Sequence, residues 1–228
     1  MTVWMRPERR PGLSREQIVA AALELLDGEG VDALSMRKLG TRLGAGATSM
    51  YTHVASKDEL IELVVDEVYG EVEPPEPDEY WRSAVTGYAH SLRSALLRHP
   101  WMGSVLGEAG VAYLGPNMLR LTEAVLATFE AGGFGLEAAD RALHAVVAYV
   151  VGVSTSEAAW LTTLARSGQN EQEWTDRLWP AAERAVRDYP RQRQLYAARR
   201  NRDRGADRDE EFAVGLDCVL DGVTARLG

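Results

Sequence analysis

The chain has one cysteine, Cys218, and only two lysines, Lys38 and Lys57, among its 228 residues. A single cysteine excludes an internal disulfide framework and is typical of a reducing compartment, so we expect a cytoplasmic protein. No run of 18 or more apolar residues occurs, and residues 1–10 lack the apolar stretch of a secretory signal, so we expect no membrane span. Cys218 falls in an apolar helical pattern, which predicts a buried, unreactive thiol.

The usual patterns of enzymes and metal sites are also missing. The four histidines, His53, His90, His99 and His144, show no metal-ligand spacing. We find no glycine-rich phosphate loop and no Ser/His/Asp set that spacing alone supports. These gaps predict no metal, no cofactor and no enzymatic activity, and they leave a helical enzyme or a helical interaction module as weaker alternatives.

Strand patterns are absent, whereas apolar residues recur at helical spacing along the chain. This predicts an all-α protein with a flexible arm over residues 1–13 and a helix-turn-helix DNA-binding domain over 14–73. A second helical domain follows over 78–228. The proline-rich segment 74–77 marks the boundary, because closely spaced prolines interrupt helices.

The predicted DNA-binding domain contains short, well-capped helices. Ser14 with Gln17, and Ser56 with Glu59, form capping boxes, and Ser35 begins another helix. We predict helices over about 15–27, 36–43, 47–53 and 57–71, with a glycine turn at 44–46. The third helix is too short to persist alone. Met50 and Val54 should therefore anchor it to the small core.

Charge is distributed unevenly. The net charge is −9, yet residues 1–57 carry eight basic and six acidic side chains, a balance of +2 that leaves −11 for residues 58–228. Both lysines lie in the positive part. A mildly basic region on an acidic body suits local contact with phosphates, although two lysines could also cluster by chance.

The C-terminal region is predicted to be almost continuous helix, over about 78–98, 102–108, 116–131, 136–165, 173–188 and 210–227. Residues 191–209 are densely charged, and we expect them to be partly disordered. The helix over 136–165 is apolar on all sides, which predicts burial on several faces.

Residues 18–63 resemble the DNA-binding domain of the TetR (tetracycline-repressor) family of bacterial regulators. The resemblance rests on Leu34-Ser35-Met36-Arg37-Lys38-Leu39-Gly40, Met50-Tyr51-Thr52-His53-Val54 and Lys57-Asp58-Glu59-Leu60. The region after 78 is similar to the tetracycline-repressor branch at His99-Pro100, Gly132-Gly133-Phe134 and the closing helix. The resemblance implies a regulator that binds double-stranded DNA.

The resemblance also implies which side chains meet DNA: Arg37, Lys38, Thr48, Ser49, Tyr51, Thr52, His53 and Lys57. Arg37 would reach a base, since its guanidinium fits guanine N7 and O6, while Tyr51 and Lys57 would contact phosphates. Thr48, Ser49 and Thr52 could bond bases or meet a thymine methyl. The alternatives are a solvated helix face for Arg37 and Lys38, and a packed or solvated side chain for His53.

In family members the C-terminal domain serves regulation and dimerisation, and two long helices of each subunit form the dimer interface. By resemblance these would be the helices over 136–165 and 210–227. Family members release DNA when a small molecule fills a pocket in this domain. A single very buried core helix is the alternative for 136–165. The candidate pocket, whose residues could equally be plain core, comprises Tyr88, Leu92, Trp101, Met102, Leu121, Thr122, Val125, Val146, Tyr149 and Val150.

These residues are mainly apolar or aromatic, which suits an apolar or aromatic effector. Alignment places Glu73, Leu106 and Val125 where tetracycline repressors hold magnesium-bound drug, so those ligands are absent here. The resemblance predicts a homodimeric repressor that such an effector releases from a palindromic operator. An activator or a ligand-independent repressor is the alternative.

Overall fold

The computed structural model describes residues 13–76, 80–106, 115–200 and 202–226, and every regular element in these ranges is helical. This confirms the all-α prediction. The head comprises α1 to α4 and the body α5 to α11. The bounds are α1 Arg15–Glu29, α2 Met36–Leu43, α3 Ala47–Met50, α4 Lys57–Gly70, α5 Trp81–Arg98, α6 Met102–Leu106, α7 Pro116–Ala131, α8 Leu136–Ser167, α9 Glu171–Ala185, α10 Pro190–Arg199 and α11 Arg204–Thr224. Residues 1–12 of the predicted arm lie outside the described ranges.

Serine caps fix where the helices of the head begin. The hydroxyl of Ser14 accepts the Gln17 N–H, and the Gln17 carboxamide accepts the Ser14 N–H in return. Ser56 likewise accepts the Glu59 N–H at 3.0 Å. The second box differs from the prediction, because the Glu59 carboxylate accepts the N–H of Ala55, at 2.6 Å, instead of that of Ser56. Each cap satisfies an amide that the first helical turn leaves unpaired.

The short α3 is held by side chains that it buries. Met50 is fully buried and Val54 is 1% exposed, within a core that includes Ile18, Leu39 and Leu60. The helix covers four residues, and turns continue to His53, so the predicted helix over 47–53 is too long. Tertiary packing therefore places this segment, since a single turn has little helical stability of its own.

The body is built around α5, α7 and α8. The buried residues of α8, from Ala139 through Val146 and Val150 to Ala158, recur at helical spacing and form one face. The predicted burial on several faces is therefore not seen within a single chain.

By length and composition α8 could also span a membrane, but the core helix of a soluble protein passes the same test. In this chain 33% of the apolar window of α8 is buried.

The end of the chain differs most from the sequence predictions. Residues 190–199 form α10, and α11 begins at Arg204 instead of about 210, so most of the segment expected to be partly disordered is helical. Ion pairs hold the charged side chains of this segment, including Arg199 with Glu211 at 2.7 Å and Arg202 with Asp207 at 2.8 Å.

Cys218 is exposed in the single chain, so the prediction of a buried thiol is wrong there.

The head is tied to the body through α4. The carboxylate of Asp66, on α4, accepts the backbone N–H groups of Asn117 and Met118 at 3.1 and 3.0 Å. These are unpaired amides of the first turn of α7, where a negative charge is also favoured by the helix dipole. Gly115 permits this approach, because a Cβ at that position would overlap the Asp66 carboxylate.

Candidate nucleic-acid interface

The outer surface of the head is formed by α2, α3 and the start of α4. Gly44 ends α2 in a left-handed conformation, with φ of 64°, and its N–H bonds back to Gly40 and Thr41. Glycine adopts this conformation without steric cost, so the chain turns sharply before α3. The two helices and their turn have the order of a helix-turn-helix unit, with α3 as the second helix.

The eight predicted DNA-contacting residues are accessible to different extents. Arg37, Lys38, Thr48, Ser49, Tyr51 and Thr52 are exposed, whereas His53 and Lys57 are half-buried. Tyr51 is 53% exposed, which is high for so large a ring. This exposure allows contact with DNA, and the assignment of individual contacts remains a prediction.

The basic side chains of α2 are not equally free. Lys38 pairs with Glu29, and Arg42 pairs with Glu24 at 2.6 Å. Arg37 makes no ion pair with any residue in the described part of the chain. The two existing pairs are exposed, so each is weak and could be exchanged for a phosphate. Arg37 is therefore the side chain of α2 that can approach DNA without first breaking an ion pair.

Hydroxyl groups on this surface are oriented by backbone carbonyls. Thr52 Oγ1 donates to the carbonyl of Ser49 at 2.7 Å, and Thr41 Oγ1 donates to that of Arg37 at 3.0 Å. These bonds leave the hydroxyl oxygens able to accept from a base amino group. The Lys57 ammonium lies 3.5 Å from the carbonyl of Val31, beside the amino end of α4, where amide groups favour anions.

Arg42 was not among the predicted contacts, yet it is exposed on α2, where its side chain pairs with Glu24 of α1. It lines one depression together with Arg37 and Lys38, and a second with Gly44 and Ser49. The sequence contained a signal, since Arg42 lies on the outer side of the predicted helix. It could not show that the side chain pairs with Glu24 of α1 and lines two depressions.

The ten predicted ligand-lining residues belong to the interior of the body. Eight are buried, and Thr122 and Tyr149 are half-buried. The Tyr149 hydroxyl donates to the Phe212 carbonyl at 2.9 Å, and the Trp101 indole N–H donates to Asp27 at 2.8 Å. Burial raises the pKa of Tyr88 well above its usual value, so its hydroxyl stays neutral. The structure packs these residues together as core, and their role toward a ligand remains a prediction.

Two family models match the chain. Residues 18–64 match the model described as bacterial regulatory proteins, tetR family, and residues 73–227 match the tetracyclin repressor-like C-terminal domain. The chain belongs to the TetR family. The family match agrees with the helix-turn-helix unit and the all-helical body, and it makes the chain a DNA-binding transcriptional repressor.

Named relatives in the TetR family support this assignment. An HTH-type transcriptional regulator of Saccharopolyspora erythraea is 44% identical over 163 residues, which are 69% of this chain and 68% of the relative. The HTH-type transcriptional repressor DrrR1 of Streptomyces coeruleorubidus is 31% identical over 224 residues, 96% of this chain and 80% of the relative.

Solved TetR-family structures have the same fold. Apo ActR from Streptomyces coelicolor superposes with a TM-score of 0.78 at 29% identity, covering 96% of this chain and 99% of that one. ActR in complex with actinorhodin superposes with a TM-score of 0.78 at 30% identity, covering 95% of this chain and 97% of that one.

Proposed function

We propose that this repressor acts as a cytoplasmic homodimer on a palindromic operator and is released by a small aromatic or apolar molecule. The observation that carries the proposal is the exposed guanidinium of Arg37, which forms no ion pair with the described residues, on the same surface of the head as the exposed Thr48, Ser49 and Tyr51. Such a set can combine one bidentate base contact with hydroxyl contacts to neighbouring bases and phosphates.

Dimerisation is supported by the outer faces of α8 and α11. The exposed side of α8 carries the small residues Ala145, Ala148 and Gly152, which allow a second helix to approach closely. On α11, Val214 is 57% exposed, and Cys218 lies one turn further on. Apolar faces on neighbouring helices are rarely left in water. Two-fold pairing would cover them and present two α3 segments to two half-sites.

The proposed effector response is supported by relatives and by the contacts between head and body. ActR has been crystallised with actinorhodin and with (S)-DNPA, which are small organic molecules. In this chain the body holds α4 through Asp66 and α7. A ligand that moves α7 relative to α5 would shift α4, and with it the spacing of the two α3 segments. A coupling of about 1–3 kcal/mol is typical of such linkage.

DNA binding is tested with the region upstream of the gene. Footprinting should protect two half-sites with centres about 34–36 Å apart, one turn of DNA. Arg37→Ala should weaken binding by about 1–3 kcal/mol and relax the preference at one base pair. The matched control is Arg120→Ala, which removes an exposed arginine from α7. Equal weakening on all operator variants would make Arg37 a phosphate contact instead, and no binding in any condition would overturn the proposal.

Lys57 is tested by the salt dependence of the same binding. If its ammonium neutralises one phosphate, Lys57→Ala should reduce the slope of log K against log salt by about one unit. An unchanged slope would remove Lys57 from the interface.

In cells, deletion of the gene should raise expression of the genes beside its operator, because repression is lost.

A further inference from the structure

A cavity of about 370 Å³ lies among α8, α9, α10 and α11, away from the ten residues predicted to line a ligand pocket. Its size is within the range of small-molecule sites. Four of its lining residues are aromatic, and they come from three helices: Trp160, Trp174, Trp179 and Tyr196. No family resemblance or sequence pattern pointed to this position.

The aromatic rings form two pairs. The centroids of Trp160 and Trp174 are 5.8 Å apart in an edge-to-face arrangement, and those of Trp179 and Tyr196 are 5.9 Å apart. Ring pairs of this kind offer flat apolar surfaces on which a planar aromatic molecule can stack. The buried indole N–H groups of Trp174 and Trp179 find no acceptor among the described residues. Rotation of either ring would let its N–H donate to a bound molecule, which would remove the cost of an unpaired donor.

The charges on the cavity wall leave one arginine unpaired. Each lining carboxylate has a guanidinium partner: Glu171 pairs with Arg208, Glu211 with Arg199 and Asp207 with Arg202. Arg204 also lines the cavity and is half-buried, yet no ion pair is found for it within the described ranges. A half-buried cation without a partner attracts an anion more strongly than a fully solvated one, because water screens it less.

We propose that this cavity binds a planar aromatic molecule that carries an acidic group. The rings stack on the indoles, and the acidic group pairs with Arg204. Two further arginines increase the positive potential nearby, since Arg177 lies 4.6 Å from the centroid of the Trp174 ring and Arg200 lies 5.4 Å from that of Trp179. That this cavity is the effector site of the repressor rests on the proposed function. That the cavity binds such a molecule does not.

A path of contacts connects the cavity with the core of the body. Arg208, on the cavity wall, lies 3.3 Å from Glu157 on α8, and Glu157 holds the buried Arg93 of α5 through bonds of 2.9 to 3.0 Å. An anion in the cavity would compete with Glu171 for Arg208 and change the charge around Glu157. Helix α5 carries His99 at its carboxyl end, where the body contacts the head.

The test uses two fluorescent probes that differ in charge, 8-anilinonaphthalene-1-sulfonate and the uncharged N-phenyl-1-naphthylamine, with the full chain and no DNA. The wild type should bind one sulfonate probe per chain. Arg204→Ala should weaken that binding by at least about tenfold, which corresponds to one charge-assisted contact. It should change binding of the uncharged probe less than about twofold, because stacking is kept. The control, Arg187→Ala, removes an exposed arginine after α9 and should change neither.

Filling the cavity gives the second arm. Ala182→Trp places a ring into the lined space and should abolish binding of both probes while the circular dichroism spectrum stays helical. Thr175→Trp replaces it if the first variant does not fold. Retained binding after filling, or equal effects of the Arg204 and Arg187 variants, would overturn the inference. Operator binding without probe is measured separately, so a variant that loses the probe but binds DNA normally leaves the proposed function standing.

Discussion

Nδ1 of His99 lies 2.7 Å from Oδ1 of Asp27, and the same oxygen accepts the indole N–H of Trp101 at 2.8 Å. His99 ends α5 in the body, while Asp27 belongs to α1 in the head. The other imidazole nitrogen, Nε2, lies 3.2 Å from both carboxylate oxygens of Glu71, just after α4. One buried imidazole therefore holds the ends of two head helices, and it fixes the orientation of the head by hydrogen bonds in addition to packing.

Replacing Asp27 with alanine should loosen this connection. The change leaves the buried His99 Nδ1 and the Trp101 N–H without their acceptor, and each unpaired buried donor costs about 1–3 kcal/mol. With two donors affected, we expect the free energy of unfolding, measured by urea titration, to fall by at least about 1–3 kcal/mol, the cost of one of them. Asp32→Ala is the control, because Asp32 is exposed in the turn after α1, and it should change stability by less than about 0.5 kcal/mol. Equal losses in the two variants would mean that the His99 contact contributes nothing.

Gly115→Ala should separate α4 from α7. The added Cβ would overlap the Asp66 carboxylate, so α4 must move or the two bonds to the α7 amides must break. We expect a destabilisation of about 1–3 kcal/mol, as for overpacking elsewhere, together with weaker operator binding.

Gly135→Ala is the matched control for this change. Gly135 precedes α8 with φ of −72° and ψ of 154°, close to the −66° and 152° of Gly115, and a Cβ there would meet nothing within 4 Å. If both variants unfolded at the same urea concentration, the contact between Asp66 and α7 would not hold the head.

Glu157→Ala should destabilise the body strongly. Its carboxylate is 9% exposed and neutralises Arg93, whose side chain is 10% exposed, so the change leaves a buried guanidinium whose one remaining ion-pair partner among the described residues is the exposed Asp209. Breaking a buried ion pair by removing one member costs about 3–5 kcal/mol. Thermal unfolding of both variants measures the difference: Glu137→Ala, on the same helix, breaks an exposed pair with Arg141 and should cost less than about 1 kcal/mol.

Ala148→Glu should convert the dimer into monomers. A carboxylate on the outer face of α8 would be buried without a partner at the proposed interface. Sedimentation at micromolar concentration should then show one chain instead of two, and operator affinity should fall because two half-sites are no longer bound together. Leu119→Glu, at a position 51% exposed on α7, should remain dimeric.

Cys218 reports on the same surface. Its thiol is exposed in the single chain, so a dimer that covers α11 should react slowly with a thiol reagent, and the Ala148→Glu variant should react rapidly. Equal rates in the two proteins would place the interface away from the middle of α11.

The head could be predicted closely because its determinants are local. Serine caps, glycine turns and apolar spacing each act within a few residues, and the structure confirms the buried positions of Met50 and Val54. The length of α3 was not predictable in the same way. The helix ends at Met50 and turns continue to His53, and no spacing within these seven residues predicts that end.

The body was less predictable because its determinants are long-range. Charged residues from 191 to 209 suggested disorder, yet partners on α11 pair with Arg199 and Arg202. The aromatic cavity combines Trp160, Trp179 and Tyr196 from three helices, and no spacing in the sequence relates them. The indole N–H of Trp101 bonds to Asp27 in the head, a contact that only the three-dimensional arrangement reveals.

Asp66 also determines how repressors of this kind could be recombined. The two family models leave a gap between residues 64 and 73, which is where a designer would exchange heads between relatives. Asp66 lies inside that gap, and its carboxylate accepts the N–H groups of Asn117 and Met118. A chimera joined at residue 73 would import a foreign residue opposite α7, whereas one joined before Asp66 would keep the native pair. The position of the crossover within residues 64–73 would then decide whether a hybrid still transmits its signal.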